Sequence, residues 1–218
     1  MAKVPGSSPV KSRLHGVLSA ERATELYRCF LLDRLDAIAA LPNISPVVAF
    51  TPAEARAAMV PLAPTGIELV AQEGADLGER LSTLLTALLA RGHAGAIAID
   101  SDSPTLPMSY VADAARRLAH GRCDVVLGPC EDGGYYLVGL TSPQPALFEG
   151  IPWSTDGVLA LTLDKARRHN LAVQLLPRWF DVDTEADLRR LHADVRAGGD
   201  GPRRTSDFLR RLSGLVQP

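Results

Sequence analysis

Ala94-Gly95-Ala96-Ile97-Ala98-Ile99-Asp100-Ser101-Asp102-Ser103-Pro104 is the stretch on which the reading of this chain turns. Its first six residues are small or apolar with no alternation, a pattern that predicts a strand buried on both faces of a parallel sheet. The run then ends in acid. Residues two apart in extended backbone share a side, so Asp100 and Asp102 are expected to project together while Ser101 turns away. Pro104 stops the strand, and ligands of open α/β sheets sit at the carboxyl ends of strands. Two carboxylates about 5 Å apart repel by roughly 3 kcal/mol at an effective dielectric near 20, so such a pair protonates, spreads into water or holds a cation. Mg²⁺ suits the last course, taking one or two carboxylates and leaving its other positions to water and phosphate oxygens. In the competing reading Asp102 caps a helix beginning near Pro107 and Asp100 is solvated.

Outward from that stretch, strands and helices alternate. Helical spacing joins Ala23, Leu26, Tyr27, Phe30, Leu31 and Ile38, with Ser19 as a cap and Pro42 as the stop. Strands are expected at Pro46–Phe50 and Gly66–Val70, with a short helix from Ala53 to Val60 between them. Asp76 caps a helix from Leu77 to Ala90, in whose first turn Arg80 is either a surface residue or a ligand contact. Downstream come a helix from Met108 to His120, buried strands at Cys123–Pro129 and Tyr135–Leu140, a helix from Asp156 to His169 with Ser154 or Thr155 as its cap, and a strand at Leu171–Leu176. Trp179-Phe180-Asp181-Val182-Asp183-Thr184 repeats the central device, an apolar lead into two aspartates two apart. Asp183 then either supplies a second carboxylate to a cation held by Asp102 or decorates the start of the helix that Thr184 caps.

At 218 residues, with 46% hydrophobic and 22% charged residues, the chain suits one ordinary globular domain. That domain is expected over 1–197, with 198–218 a flexible joint at Gly198-Gly199-Asp200-Gly201-Pro202 followed by a short amphipathic helix. The helix docks on the domain or on a second subunit, which leaves a homodimer open. A net charge of −2 argues neither for nucleic acid as the main partner nor for a membrane surface, and neither is expected. There is no apolar run of spanning length and no secretory signal. Cys29, Cys123 and Cys130 have no metal-type spacing and read as buried free thiols in a reducing cytoplasm.

Smaller signals remain open on local evidence. Lys11 and Arg13 lie two apart in a loop, as a point charge and a fork suited to phosphate oxygens or as a solvated pair. Glu131-Asp132-Gly133-Gly134 is either a plain turn or a close approach of backbone to a ligand. Trp153 is a packing residue or a stacking platform.

Taken together, Lys11-Ser12-Arg13-Leu14, Asp100-Ser101-Asp102-Ser103-Pro104, Gly128-Pro129-Cys130-Glu131-Asp132-Gly133-Gly134-Tyr135-Tyr136-Leu137, Pro152-Trp153-Ser154-Thr155-Asp156 and Asp181-Val182-Asp183-Thr184 resemble one family. It is the bacterial glycosyltransferase-A-like family of largely uncharacterised transferases related to 2-phospholactate guanylyltransferase and molybdenum cofactor guanylyltransferase. The resemblance implies a three-layer, Rossmann-like nucleotide-diphospho-sugar transferase fold with a mostly parallel sheet, and Mg²⁺ or Mn²⁺ as cofactor. Asp102 matches the family's metal-binding aspartate, Asp183 its second ligand, and Lys11 and Arg13 its basic loop for nucleotide phosphates. Lys11, Arg13 and Asp102 would be the catalytic set. Asp132 and Gly133, with Trp153, Ser154 and Thr155, would bind the acceptor. The expected activity is nucleotidyl transfer from a nucleoside triphosphate to a small phosphorylated acceptor. The alternatives are glycosyl transfer from a nucleotide-sugar and non-catalytic nucleotide binding. Two departures accompany the likeness: the family's hydrophobic strand before Lys3 is expected to be missing, and Ser7-Ser8-Pro9 replaces a proline-glycine-arginine element.

Overall fold

A computed structural model describes residues 1–197 and 201–213. In chain order the elements are β1 (Ala2–Lys3), α1 (Ala20–Ala39), β2 (Val47–Thr51), α2 (Arg56–Met59), β3 (Glu68–Ala71), α3 (Leu77–Leu89), β4 (Ala96–Ile99), α4 (Met108–Ala119), β5 (Val125–Pro129), β6 (Tyr135–Leu140), α5 (Val158–Arg168), β7 (Val173–Leu175), α6 (Glu185–Arg196) and α7 (Arg203–Ser213). They fall into two compact units. Unit 1 holds Met1, Gln72–Asp100 and Pro107–Phe180; unit 2 holds Ala2–Ala71, Ser101–Leu106 and the described chain from Asp181. Among the described residues no helix is long and apolar enough to cross a membrane.

Unit 2 is built on a parallel sheet of order β1-β2-β3. Ala2 sits opposite Phe50 and Val47 opposite Glu68. The expectation of a missing first strand is therefore corrected: Ala2–Lys3 is short, but it is a strand. Its register is held from the side, because the Lys3 N–H donates to the Tyr27 hydroxyl at 3.0 Å. Twenty residues of α1 bury Ala23, Leu26, Tyr27, Phe30, Leu31 and Leu35, the stripe its spacing demands. Leu31 and Leu35 pack in one core cluster with Val4, Val48, Phe50, Met59 and Leu62. The Ser19 hydroxyl caps the helix by accepting the Arg22 N–H.

The α7 helix belongs to the same unit, with Phe208 and Leu209 buried. Its first turn is capped from outside: the Asp33 carboxylate on α1 accepts the N–H groups of Arg204 (3.0 Å) and Thr205 (2.8 Å). The Arg204 guanidinium pairs with Asp36 at 2.6 Å. Of the expected joint, Gly198, Gly199 and Asp200 lie outside the described residues.

Unit 1 carries a mixed sheet of order β4-β6-β5-β7. β6 runs antiparallel to both β4 and β5, while β5 and β7 are parallel. This corrects the reading of Ala96–Ile99 as a strand within a parallel sheet. Only residues 130–134 separate β5 from β6, and the Cys130 N–H closes that turn on the Gly134 carbonyl at 2.9 Å. Such a short link cannot cross over, so β6 must return antiparallel, and it enters between β4 and β5. Small and apolar residues along a strand report burial, not the direction of its neighbour. Burial is also uneven here, with Ala96 and Ala98 buried and Ile97 and Ile99 half-buried. The core of this unit joins Leu81 and Leu85 of α3 to Val125, Leu127, Val138 and Leu140 of the sheet and to Leu147 and Phe148.

Candidate functional site

Three separate segments of unit 2 bring charge to one place. The first is the loop before a single helical turn at Ser12–Leu14, with Val10 and Leu14 buried on either side. Between those anchors Lys11 adopts the left-handed conformation, φ +50° and ψ +38°, uncommon outside glycine. That bend carries its side chain inward until only 2% of it is exposed. The ammonium lies 2.6 Å from Asp102 Oδ1 and 3.3 Å from Asp183 Oδ1. Arg13, two residues past the bend, is 67% exposed and reaches Asp183 Oδ2 at 2.9 Å.

The second segment is the loop 101–106. The Ser101 hydroxyl is 2.9 Å from the Tyr27 hydroxyl. Arg34, almost fully buried, donates to the carbonyls of Ser103 and Leu106. With its small residues turned in and its carbonyls held, the loop leaves the Asp102 side chain 39% exposed beside Lys11. Helix α4 has Pro107 at its N-cap and no side-chain cap bond, which removes the capping reading of Asp102.

The third segment leads into α6. Thr184 caps that helix, and a reciprocal capping box joins it to Asp187. Asp187 also accepts the Asp183 N–H at 3.2 Å. The helix start is thus supplied by its neighbours, and the Asp183 carboxylate is left for Lys11 and Arg13. One main-chain bond links this segment to the second: the Val182 N–H donates to the Asp102 carbonyl at 3.0 Å.

Burial works against a charged Lys11, yet Asp102 beside it, helped by Asp183 and Asp181, outweighs that cost and holds the ammonium's pKa above its ordinary value. Hard carboxylate oxygens already converge here on one positive centre, and both side chains stay more than a third exposed. That donor set is of the kind a divalent cation takes, with room for water or phosphate oxygens on the open side.

The residues expected to bind an acceptor lie in unit 1. Asp132 is exposed, and its Oδ1 accepts the Gly134 N–H at 2.9 Å, closing a tight turn on itself. Gly133 has φ +91°, and a Cβ there would stand 2.1 Å from the Asp156 carbonyl oxygen. Its close approach is to the backbone at the start of α5, whose Leu159 N–H donates to the Gly133 carbonyl at 2.9 Å. Trp153 is half-buried, edge-on to Tyr135 with centroids 6.3 Å apart, and its ring fills the space a Cβ on Gly78 would need. Neither Ser154 nor Thr155 caps α5, a correction: the N-cap is Gly157 with no side-chain bond. Ser154 instead sits at φ +66°, and the Thr155 hydroxyl donates to the Pro152 carbonyl at 2.8 Å. Arg80 donates to the Gly74 carbonyl at 3.0 Å, which accounts for it within its own loop.

Tyr27 and Arg34 were not among the expected site residues. The signal for Arg34 was present, since it occupies the slot in the Tyr27, Phe30, Leu31, Ile38 stripe where an apolar residue belongs. Cys29, Cys123 and Cys130 are buried and held in no disulfide, as expected.

A protein of Desulfovibrio desulfuricans G20, provisionally named a nucleotide-diphospho-sugar transferase, matches at 34% identity and a TM-score of 0.88, over 98% of this chain and 93% of that one. Molybdopterin-guanine dinucleotide biosynthesis protein A from Archaeoglobus fulgidus aligns over 98% of this chain and 97% of that one, at 12% identity and a TM-score of 0.48. The expected α/β, nucleotide-diphospho-sugar transferase-like fold is therefore the fold of this chain. The model of the family described as an uncharacterized protein conserved in bacteria (DUF2064) matches residues 34–155, and with that match the chain belongs to the DUF2064 family.

Proposed function

We propose that this chain is a divalent-metal-dependent, nucleotide-utilising transferase that moves a nucleotidyl group from a nucleoside triphosphate to a small phosphorylated acceptor. One observation carries the reading: Asp102 and Asp183, 81 residues apart in sequence, converge on a single cationic centre, with the exposed Arg13 alongside. In a fold of the nucleotide-diphospho-sugar transferase type, that arrangement suits a metal-bound polyphosphate. Asp102 and Asp183 would hold Mg²⁺ or Mn²⁺, which when bound supplies charge neutralisation at the phosphates.

The chain's own residues then do the positioning. Arg13 can leave Asp183 for two phosphate oxygens, a better match to its forked guanidinium. Asp102 is kept in place by the Tyr27 and Arg34 contacts to its loop. An acceptor phosphate, largely dianionic near pH 7, needs no general base. Its oxygen forms a bond to the α-phosphorus as the bond from that phosphorus to the bridging oxygen breaks, and the electron pair leaves with pyrophosphate. Acceptor binding by Asp132, Gly133, Trp153, Ser154 and Thr155 is part of the same proposal.

A second reading, glycosyl transfer from a nucleotide-sugar, is favoured by the provisional name of the 34%-identical Desulfovibrio protein. Incubation with labelled nucleoside triphosphates or nucleotide-sugars, Mg²⁺ and phosphorylated small acids separates the two. Pyrophosphate release supports the first and nucleoside diphosphate release the second. Nucleotide binding without turnover supports a non-catalytic role, and no nucleotide binding at all sinks the proposal.

A further inference from the structure

Arg13 stands largely in solvent, with 67% of its side chain exposed. Lys11 does not: its side chain is 2% exposed and its ammonium sits between Asp102 and Asp183. Those are the carboxylates a divalent ion would take on the reading above, on which this inference rests. An ion arriving alone therefore meets a positive charge already in possession. A polyphosphate changes the balance, because it offers the ammonium new oxygens to pair with.

We infer that Lys11 is a resident stand-in cation for the Asp102–Asp183 pair, which a divalent ion displaces efficiently only in company with a polyphosphate. The backbone is suited to the exchange. Val10 and Leu14 are buried at 4% and 0% exposure and pin the loop, while the Leu14 N–H donates to the Lys11 carbonyl at 2.9 Å. The movement thus falls on the four-carbon stem of the lysine, whose compact charge swings more freely than a planar guanidinium. Metal and polyphosphate binding become coupled, each raising the affinity for the other by the same factor.

The test is Mn²⁺ binding followed by electron paramagnetic resonance, with and without inorganic tripolyphosphate, on the wild type, Lys11→Met and Lys11→Gln. Far-UV circular dichroism checks each variant's fold, and Lys11→Gln replaces Lys11→Met if the latter does not fold. Wild type should bind Mn²⁺ weakly alone and bind Mn²⁺–tripolyphosphate at least about tenfold tighter. Removing a unit charge roughly 6 Å from a dication, even in water-like surroundings, should tighten Mn²⁺ alone by about tenfold. The benefit from tripolyphosphate should shrink by a similar factor. Unchanged or weaker Mn²⁺ binding by a folded Lys11 variant overturns the inference and leaves the metal site intact. No Mn²⁺ binding by any form, with or without tripolyphosphate, overturns the site reading and this inference together.

Discussion

Asp102 and Asp132 each lie a few residues past the carboxyl end of a strand, β4 and β5, in loops of small residues. Asp102 spends its charge on a distant partner, with Lys11 at 2.6 Å across 91 positions of sequence. Asp132 spends its own on the turn it belongs to, accepting the N–H of Gly134 two residues on. An acid that closes its own turn has a local job that an amide does nearly as well. An acid facing a buried ammonium has a task that only negative charge performs. Placement at a strand end is thus common to both loops, and the identity of the partner is what separates a turn from a candidate site.

Breaking that contrast should produce effects of very different size. Asp102→Ala should weaken Mn²⁺–nucleotide binding by more than a hundredfold and lower stability by about 2 kcal/mol, since it leaves the buried Lys11 ammonium with only the more distant Asp183. Titration calorimetry and urea unfolding read the two effects; undiminished binding would remove Asp102 from the site. Gly133→Ala should cost about 2 kcal/mol in urea unfolding, because the new methyl meets the Asp156 carbonyl at a positive φ. An equally stable variant would mean the turn yields easily.

Asp33→Ala leaves the first N–H groups of α7 without their acceptor and should lower stability by about 1 kcal/mol, with faster amide exchange in Arg204 and Thr205. It asks whether a carboxylate reaching between helices behaves like Asp102 or like Asp132. Asp132→Asn should be the mildest, below about 0.5 kcal/mol, since an amide oxygen can accept the same N–H. A loss as large as that of Asp102→Ala would erase the distinction between the loops.

Much of the architecture was readable in the residues. The α1 stripe, the caps Ser19, Asp76 and Thr184, and the strands after each turn all follow from local rules, and the structure places them within a few residues. Strand direction was not readable at β4, because it depends on a turn more than thirty residues downstream. Ser154 and Thr155 misled for a related reason. Both are good capping types, but the left-handed Ser154 carries the chain past them before α5 begins. At the charged cluster, types and spacing left Lys11, Arg13, Asp102 and Asp183 open between a ligand role and a plain one, the family resemblance singled them out, and the pairing of Lys11 with both aspartates waited on tertiary structure. Arg34 shows the reverse: a charged residue in an apolar stripe was visible, and only the fold revealed that its role is to hold the carbonyls of Ser103 and Leu106.

The Val182–Asp102 hydrogen bond has an evolutionary corollary. Its donor and acceptor are backbone atoms, so side-chain substitution on either strip of chain, proline at 182 aside, leaves the tie unbroken. Relatives could trade aspartate for asparagine, histidine or glycine at 102 and 183 and still present the two positions at one fixed spacing. On the function proposed above, chemistry in such a lineage can drift through the identity of these two side chains while the spacing of their backbones is inherited unchanged.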